Sequence, residues 1–169
     1  MKTILSIATA ALLSATALLA QEYRAGDISV DHPRSFEKPA SGAVGVGYLT
    51  LTNTGSTDDA LIGLRGESLE RVEIHKSETD DMGVARMARQ ERIDIPAGET
   101  VILQPGGLHI MFMGLSGQEW AEGDRFEATL EFERAGPLAV AFNVEKRGSQ
   151  GHGGTAHSTH GAMGGTAQD

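Results

Sequence analysis

A histidine and two methionines alternate in one short β-prone run of this 169-residue chain. In the segment "HIMFM", His109, Met111 and Met113 are separated by Ile110 and Phe112. Because successive side chains of a strand point to opposite faces, we predict that Ile110 and Phe112 fill the core and that the other three share the opposite face. Methionine is an unusual residue for a face that meets water. A histidine and a methionine two positions apart, however, can both reach one metal ion above the strand.

Further imidazole and thioether groups precede this run. His75 ends the segment "RVEIH", and Met87 follows it in a loop or strand. Met82 lies in the acidic segment "SETDDMGVA", a predicted loop, where it either assists metal entry or has no role. Neutral imidazole and thioether form a soft ligand set, which selects Cu(I) over Zn(II), Mg(II) or Ca(II). The residue types therefore favour a Cu(I) site.

The missing residue types narrow the class of protein. Zinc sites normally use cysteine, histidine and carboxylate, and hardly ever methionine. The sequence contains no cysteine, which excludes a blue-copper electron-transfer centre because that site needs a cysteine thiolate. Neither G-x-S-x-G nor H-E-x-x-H occurs, so an enzyme is the least favoured class.

The first twenty residues have the layout of a secretory signal peptide. Lys2 precedes an uncharged run rich in alanine and leucine, with small residues near Ala20. We predict export to the periplasm with cleavage near Ala20. A retained membrane anchor is the alternative, but serine and threonine interrupt the run, so stable membrane insertion is not expected. Lipid attachment is not expected either, because the sequence has no cysteine.

The net charge of −9 argues against nucleic acid and anionic lipid as partners.

Residues 21–147 contain short β-prone runs separated by glycine, proline, asparagine and aspartate, and no sustained helical periodicity. This spacing predicts a single all-β domain, an antiparallel sandwich or barrel. His32, which precedes Pro33, is expected in a loop without a function. Alternation is clearest in "RFEATLEFE", whose predicted core face consists of Phe126, Ala128, Leu130 and Phe132.

Residues 148–169 differ from the preceding domain in composition. They are rich in glycine, serine, threonine and alanine, which predicts a flexible tail. Histidine-rich tracts suggest metal binding, and imidazoles suit Cu(II), which such a tail could capture and present to the barrel after reduction. An inert disordered tail is the alternative. The candidate ligands of the tail are His152, His157, His160 and Met163.

At the four central residues the sequence resembles the periplasmic copper chaperones of the PCuAC type. The motif of that family is a histidine, a methionine twelve positions later and, after 21 intervening residues, His-x-Met. It falls on His75, Met87, His109 and Met111, with 11, 21 and one residues between successive members. The segments "RMARQERIDIPAGETVILQPGGLHIMFMGL" and "EGDRF" are similar to the family as well. The resemblance extends from about residue 27 to residue 145.

The resemblance implies a cupredoxin-like β-barrel or sandwich that binds one Cu(I) through two imidazoles and two thioethers. It also implies delivery of copper towards the CuA centre of cytochrome c oxidase, in concert with thioredoxin-like Sco proteins. Many members have methionine directly after the first histidine, where this chain has Lys76, which leaves Met87 as the ligand assigned by spacing. Met113 is expected to pack beside the site. A copper storage or tolerance protein and a purely structural exported β-domain are the alternatives.

Overall fold

The computed structural model describes residues 22–148. The predictions for the leader, residues 1–20, and for His152, His157, His160 and Met163 of the tail lie outside the described residues. Within residues 22–148 there are eleven strands, and none of the described residues forms a helix that could span a membrane. The strands are β1 (Glu22–Ala25), β2 (Ile28–Phe36), β3 (Val44–Asn53), β4 (Asp59–Arg65), β5 (Arg71–Thr79), β6 (Ala85–Gln90), β7 (Ile93–Ile95), β8 (Thr100–Leu103), β9 (Leu108–Met113), β10 (Arg125–Phe132) and β11 (Gly136–Glu145).

The strands form one sheet that curls into a nearly closed barrel. Their order is β6-β5-β9-β3-β2-β11-β10-β4-β7, with β1 paired to β2 and β8 paired to β3. The barrel approaches closure where β4 comes close to β5. The predicted all-β fold is confirmed. Among the pairings of the described strands, β2 with β11 is parallel and the others are antiparallel.

The prediction of a loop at His32 is wrong. His32 lies inside β2, where the pairing with β3 shifts register between Asp31 and Arg34. The backbone at His32 has a φ of 51°, and Pro33 has no N–H to donate to a ladder. A bulge accommodates both features, because the extra residue of a bulge is left out of the strand pairing. The proline therefore marks an irregularity within a strand rather than its end.

The core side of β9 is filled as the alternation predicts. Ile110 and Phe112 are both 0% exposed, and the Phe112 ring packs edge-on against Phe126 and Phe142 with centroids 5.2 and 5.3 Å away. The neighbouring strand β3 places Gly45 opposite Phe112. A Cβ at Gly45 would lie 2.3 Å from a ring carbon of Trp120, so this backbone approaches the aromatic cluster as only glycine allows.

A buried lysine, Lys38, makes hydrogen bonds with the segment that follows β9. Lys38 is 5% exposed, and its Nζ donates hydrogen bonds to the carbonyl oxygens of Gly42 at 2.9 Å and Leu115 at 3.2 Å, and also to that of Gln118. Burial lowers the pKa of Lys38 from its ordinary value, against the opposing effect of the Glu119 carboxylate. These contacts join the loop between β2 and β3 to the segment that leaves β9.

Candidate metal centre

Two of the predicted ligands face each other across neighbouring strands. Strands β5 and β9 are antiparallel, and His75 lies directly opposite His109 in their register. The two ring centroids are 5.9 Å apart and the ring planes are inclined by 39°. Two metal–nitrogen bonds of about 2 Å each can bridge rings at this separation. The two histidines, 34 positions apart in sequence, are therefore within reach of one ion.

The two predicted methionine ligands lie on the same face of the sheet. Met111 is two residues from His109 on β9 and is half-buried between Glu73 of β5 and Val46 of β3. Met87 lies on β6, opposite Ser77, which is two residues from His75 on β5. Met87 is thus one diagonal step from His75 and is 56% exposed. The structure brings all four predicted ligands to one face across β6, β5 and β9.

His109 is fixed by the backbone. His109 is 5% exposed, and its Nδ1 lies 3.0 Å from the carbonyl oxygen of Gly107. A carbonyl oxygen only accepts hydrogen bonds, so Nδ1 carries the proton and donates it. The same oxygen also accepts the N–H of Ser77 at 3.0 Å. Nε2 of His109 consequently keeps its lone pair for a metal ion.

His75 is fixed by a side chain instead. Its Nε2 lies 2.8 Å from a carboxylate oxygen of Glu73, which indicates that Nε2 carries the proton and donates it. Nδ1 of His75 is buried and has no hydrogen-bond partner among residues 22–148. A buried polar atom without a hydrogen-bond partner lowers the stability of the folded protein by about 1–3 kcal/mol. A buried nitrogen without a hydrogen-bond partner, next to a second imidazole, is suited to binding a metal ion. The imidazole and thioether ligand set favours Cu(I) as that ion.

Glu73 is a residue of this site that sequence reasoning missed. Two guanidinium groups flank its carboxylate, with nitrogen–oxygen distances of 3.7 Å to Arg71 and 3.8 Å to Arg89. The hydrogen bond from His75 is the main cause that lowers the pKa of Glu73, and the charges of Arg71 and Arg89 add to it against partial desolvation. The available signal was its position two residues before His75, which places both side chains on one face of β5.

Within residues 22–148, the two methionines outside the predicted ligand set, Met82 and Met113, have other contacts, and so does Lys76. Arg71 donates two hydrogen bonds to the sulfur of Met113, at 3.2 and 2.7 Å, so this thioether already has a partner beside the site. Met82 is 83% exposed in the turn between β5 and β6, where its N–H donates to Asp80 at 3.0 Å. Lys76 follows His75 and therefore points to the opposite face of β5, where it pairs with Glu78 at 2.6 Å.

Methionine sulfur distinguishes this centre from conventional metal sites. Across the described residues, 22–148, no group of three or more histidine, cysteine, aspartate or glutamate side chains is arranged to hold a metal ion. The face of β6, β5 and β9 combines two imidazoles with two thioethers, and thioethers select soft ions. The donor set therefore fits Cu(I) better than Zn(II), Mg(II) or Ca(II).

Comparison with solved structures identifies the fold. The chain is similar to the copper-bound PCuAC domain from PmoF2, with a TM-score of 0.64 and 26% sequence identity, over 75% of this chain and 98% of that domain. It is also similar to the Cu(I) form of DR1885 from Deinococcus radiodurans, with a TM-score of 0.55 and 27% identity, over 79% of this chain and 86% of that one. The fold is the cupredoxin-like β fold of the PCuAC domains.

Comparison of sequences identifies the family. The family model described as "Putative lipoprotein LpqE-like" matches residues 28–144, and the chain belongs to this LpqE-like family. The chain is also 29% identical over 112 residues to the "Putative lipoprotein Lxx21020" of Leifsonia xyli subsp. xyli, over 66% of this chain and 67% of that protein. The word lipoprotein in these descriptions is said of the family model and of that relative.

Proposed function

We propose that this protein is an exported copper chaperone that binds one Cu(I) through His75, Met87, His109 and Met111. The observation that carries the proposal is the pair of opposed imidazoles, with ring centroids 5.9 Å apart. Each ring has one nitrogen held by a hydrogen bond, and the other nitrogen of His75 is buried without a hydrogen-bond partner among the described residues. The similarity to copper-bound PCuAC domains supports the same conclusion.

The exposure of Met87 favours transfer over permanent binding. Cu(I) has a filled d shell and no demanding geometry, so weak thioether ligands can be replaced one at a time. Met87 lies on β6, the edge strand at one end of the sheet, and is 56% exposed, whereas His109 is buried. An incoming partner would therefore displace Met87 first and the imidazoles last.

The proposed destination is the CuA centre of cytochrome c oxidase, with thioredoxin-like Sco proteins acting in the same route. This part of the proposal rests on the resemblance of the four-residue motif to the PCuAC chaperones. The proposed location is the periplasm, and the lipoprotein descriptions of the family and of the Leifsonia relative support a position in the cell envelope. A transfer assay with an apo CuA domain separates this role from copper storage, because a storage protein would retain its copper.

Competition with a Cu(I) chelator under anaerobic conditions tests the central proposal. We expect a colourless complex with one Cu(I) in the barrel. X-ray absorption should show two nitrogen and two sulfur neighbours, because the ligand set contains two imidazoles and two thioethers. A protein without Cu(I) affinity above that of an unrelated β-domain would instead support the purely structural alternative.

For the tail we propose a second, weaker site that binds Cu(II) through His152, His157, His160 and Met163. The support is compositional, since imidazoles suit Cu(II) and half of the six histidines fall in this segment. Deletion of residues 148–169 should remove one equivalent of bound Cu(II), measured by titration and electron paramagnetic resonance. Cu(I) binding to the barrel should not change. The same Cu(II) stoichiometry with and without the tail would contradict this assignment.

A further inference from the structure

We infer that Glu73 is a positioning residue that holds His75 in the orientation and tautomer in which Nδ1 binds copper. The inference rests on the proposed Cu(I) site and specifies which atom of His75 acts there. The two histidines differ in the group that accepts their ring proton. The proton acceptor of His109 is a backbone carbonyl, whereas that of His75 is the Glu73 carboxylate.

The hydrogen bond between Glu73 and His75 is sheltered from water. The two residues share one face of β5 because they are two positions apart, and their side chains are only 12% and 14% exposed. Met111 lies opposite Glu73 on β9. A hydrogen bond between partly desolvated groups, one of them ionised, is stronger than a neutral one at the surface. This contact can therefore fix the rotation of the imidazole ring.

Glu73 is itself held in place by charge. Arg71 and Arg89 approach its second carboxylate oxygen from two sides, at 3.7 and 3.8 Å, while the first oxygen accepts the hydrogen bond from His75. The two arginines come from different strands, β5 and β6. The carboxylate is thus anchored on the sheet and does not depend on the metal for its position.

The position of the ring hydrogen decides which nitrogen of His75 can bind copper. An ionised carboxylate can only accept, so Nε2 of His75 carries the hydrogen and the lone pair is on Nδ1. This Nδ1 is the buried atom without a partner among residues 22–148. His109 has the reverse arrangement, with hydrogen on Nδ1 and the lone pair on Nε2. The site would therefore bind copper through Nδ1 of one histidine and Nε2 of the other, with a carboxylate that increases the basicity of His75.

Nuclear magnetic resonance tests the orientation and tautomer without copper. Long-range proton–nitrogen spectra of the imidazoles should show the hydrogen of His75 on Nε2 and that of His109 on Nδ1. Addition of Cu(I), which is diamagnetic, should then shift chiefly Nδ1 of His75 and Nε2 of His109. A copper-free spectrum with the hydrogen of His75 on Nδ1 would overturn the inference, whatever the copper affinity.

Substitution of Glu73 tests whether it acts as a positioning group. Glu73→Ala should weaken Cu(I) binding by about 10–100-fold, the range for partners of metal-bound histidines. Glu73→Gln should restore binding to within a few-fold and keep Nδ1 as the ligand, because the amide oxygen can still accept from Nε2. The matched control is Glu131→Ala, which removes an exposed ion pair to Arg65 of 2.7 Å on strands outside the metal face.

The outcomes separate this inference from the proposed function. Strong Cu(I) binding in wild type with unchanged affinity and unchanged nitrogen shifts in Glu73→Ala would refute the role of Glu73 and leave the copper site intact. Equal losses in Glu73→Ala and Glu73→Gln would also refute it, because hydrogen-bond acceptance would not be the decisive property. An absence of Cu(I) binding in wild type would remove the proposed function itself.

Discussion

Replacing Met111 by isoleucine is expected to lower the Cu(I) affinity by about a hundredfold or more. Loss of a residue that only hydrogen-bonds to a metal ligand already lowers metal affinity by about 10–100-fold, and Met111 is a proposed ligand itself. Isoleucine is branched at Cβ and suits a strand, so the change removes the thioether and keeps an apolar side chain of similar size. The barrel should remain folded, because Met111 is half-buried on the face away from Ile110 and Phe112. Anaerobic chelator competition measures the affinity, and circular dichroism checks the fold.

The chain offers a matched control for this substitution. Met82→Ile changes the same residue type in the turn after β5, where Met82 is 83% exposed, and should leave Cu(I) affinity unaltered. Met87→Ile should weaken binding strongly as well, because Met87 is the second thioether of the proposed set. Wild-type affinity in both Met87→Ile and Met111→Ile would end the assignment of these ligands.

The part of the fold that sequence could predict is the part that local alternation encodes. In β9 and β10, apolar residues recur every second position, so the buried faces follow from the period of a strand. Strand β6 has the sequence "ARMARQ" and exposes every residue from Ala85 to Arg89. As an edge strand with no buried face, it carries no such alternation and could not be assigned. The parallel pairing of β2 with β11 joins distant segments and has no local signal.

The candidate site also has features that the sequence predicts and features that it does not. Residue types together with the resemblance to the PCuAC motif selected four ligands, and the structure places them on one face. They could not show that His75 lies directly opposite His109, because cross-strand register depends on how the whole barrel closes. They also could not show the proton positions. These depend on tertiary neighbours, the Glu73 carboxylate for His75 and the Gly107 carbonyl for His109.

Replacing Phe112 by alanine is expected to destabilise the copper-free protein by about 3–5 kcal/mol, the range for removing a buried phenylalanine ring. Phe112 is 0% exposed and contacts the rings of Trp120, Phe126 and Phe142, with centroid separations of 5.9, 5.2 and 5.3 Å. Its loss would leave a cavity at the centre of the aromatic cluster. Urea unfolding followed by tryptophan fluorescence measures the change, because Trp120 lies in the same cluster.

The same substitution tests how the metal face depends on the core. Phe112 lies on β9, the strand that carries the proposed ligands His109 and Met111. Its removal takes away the main core contact of that strand. Copper that binds only the folded state should recover part of the lost stability in proportion to ln(1 + [Cu]/Kd). Phe36→Ala is the control, since the Phe36 ring is half-buried outside this cluster and packs at a tilt of 57° against Tyr48; its loss should be smaller. An equal or smaller loss in Phe112→Ala would show that Phe112 does not anchor β9.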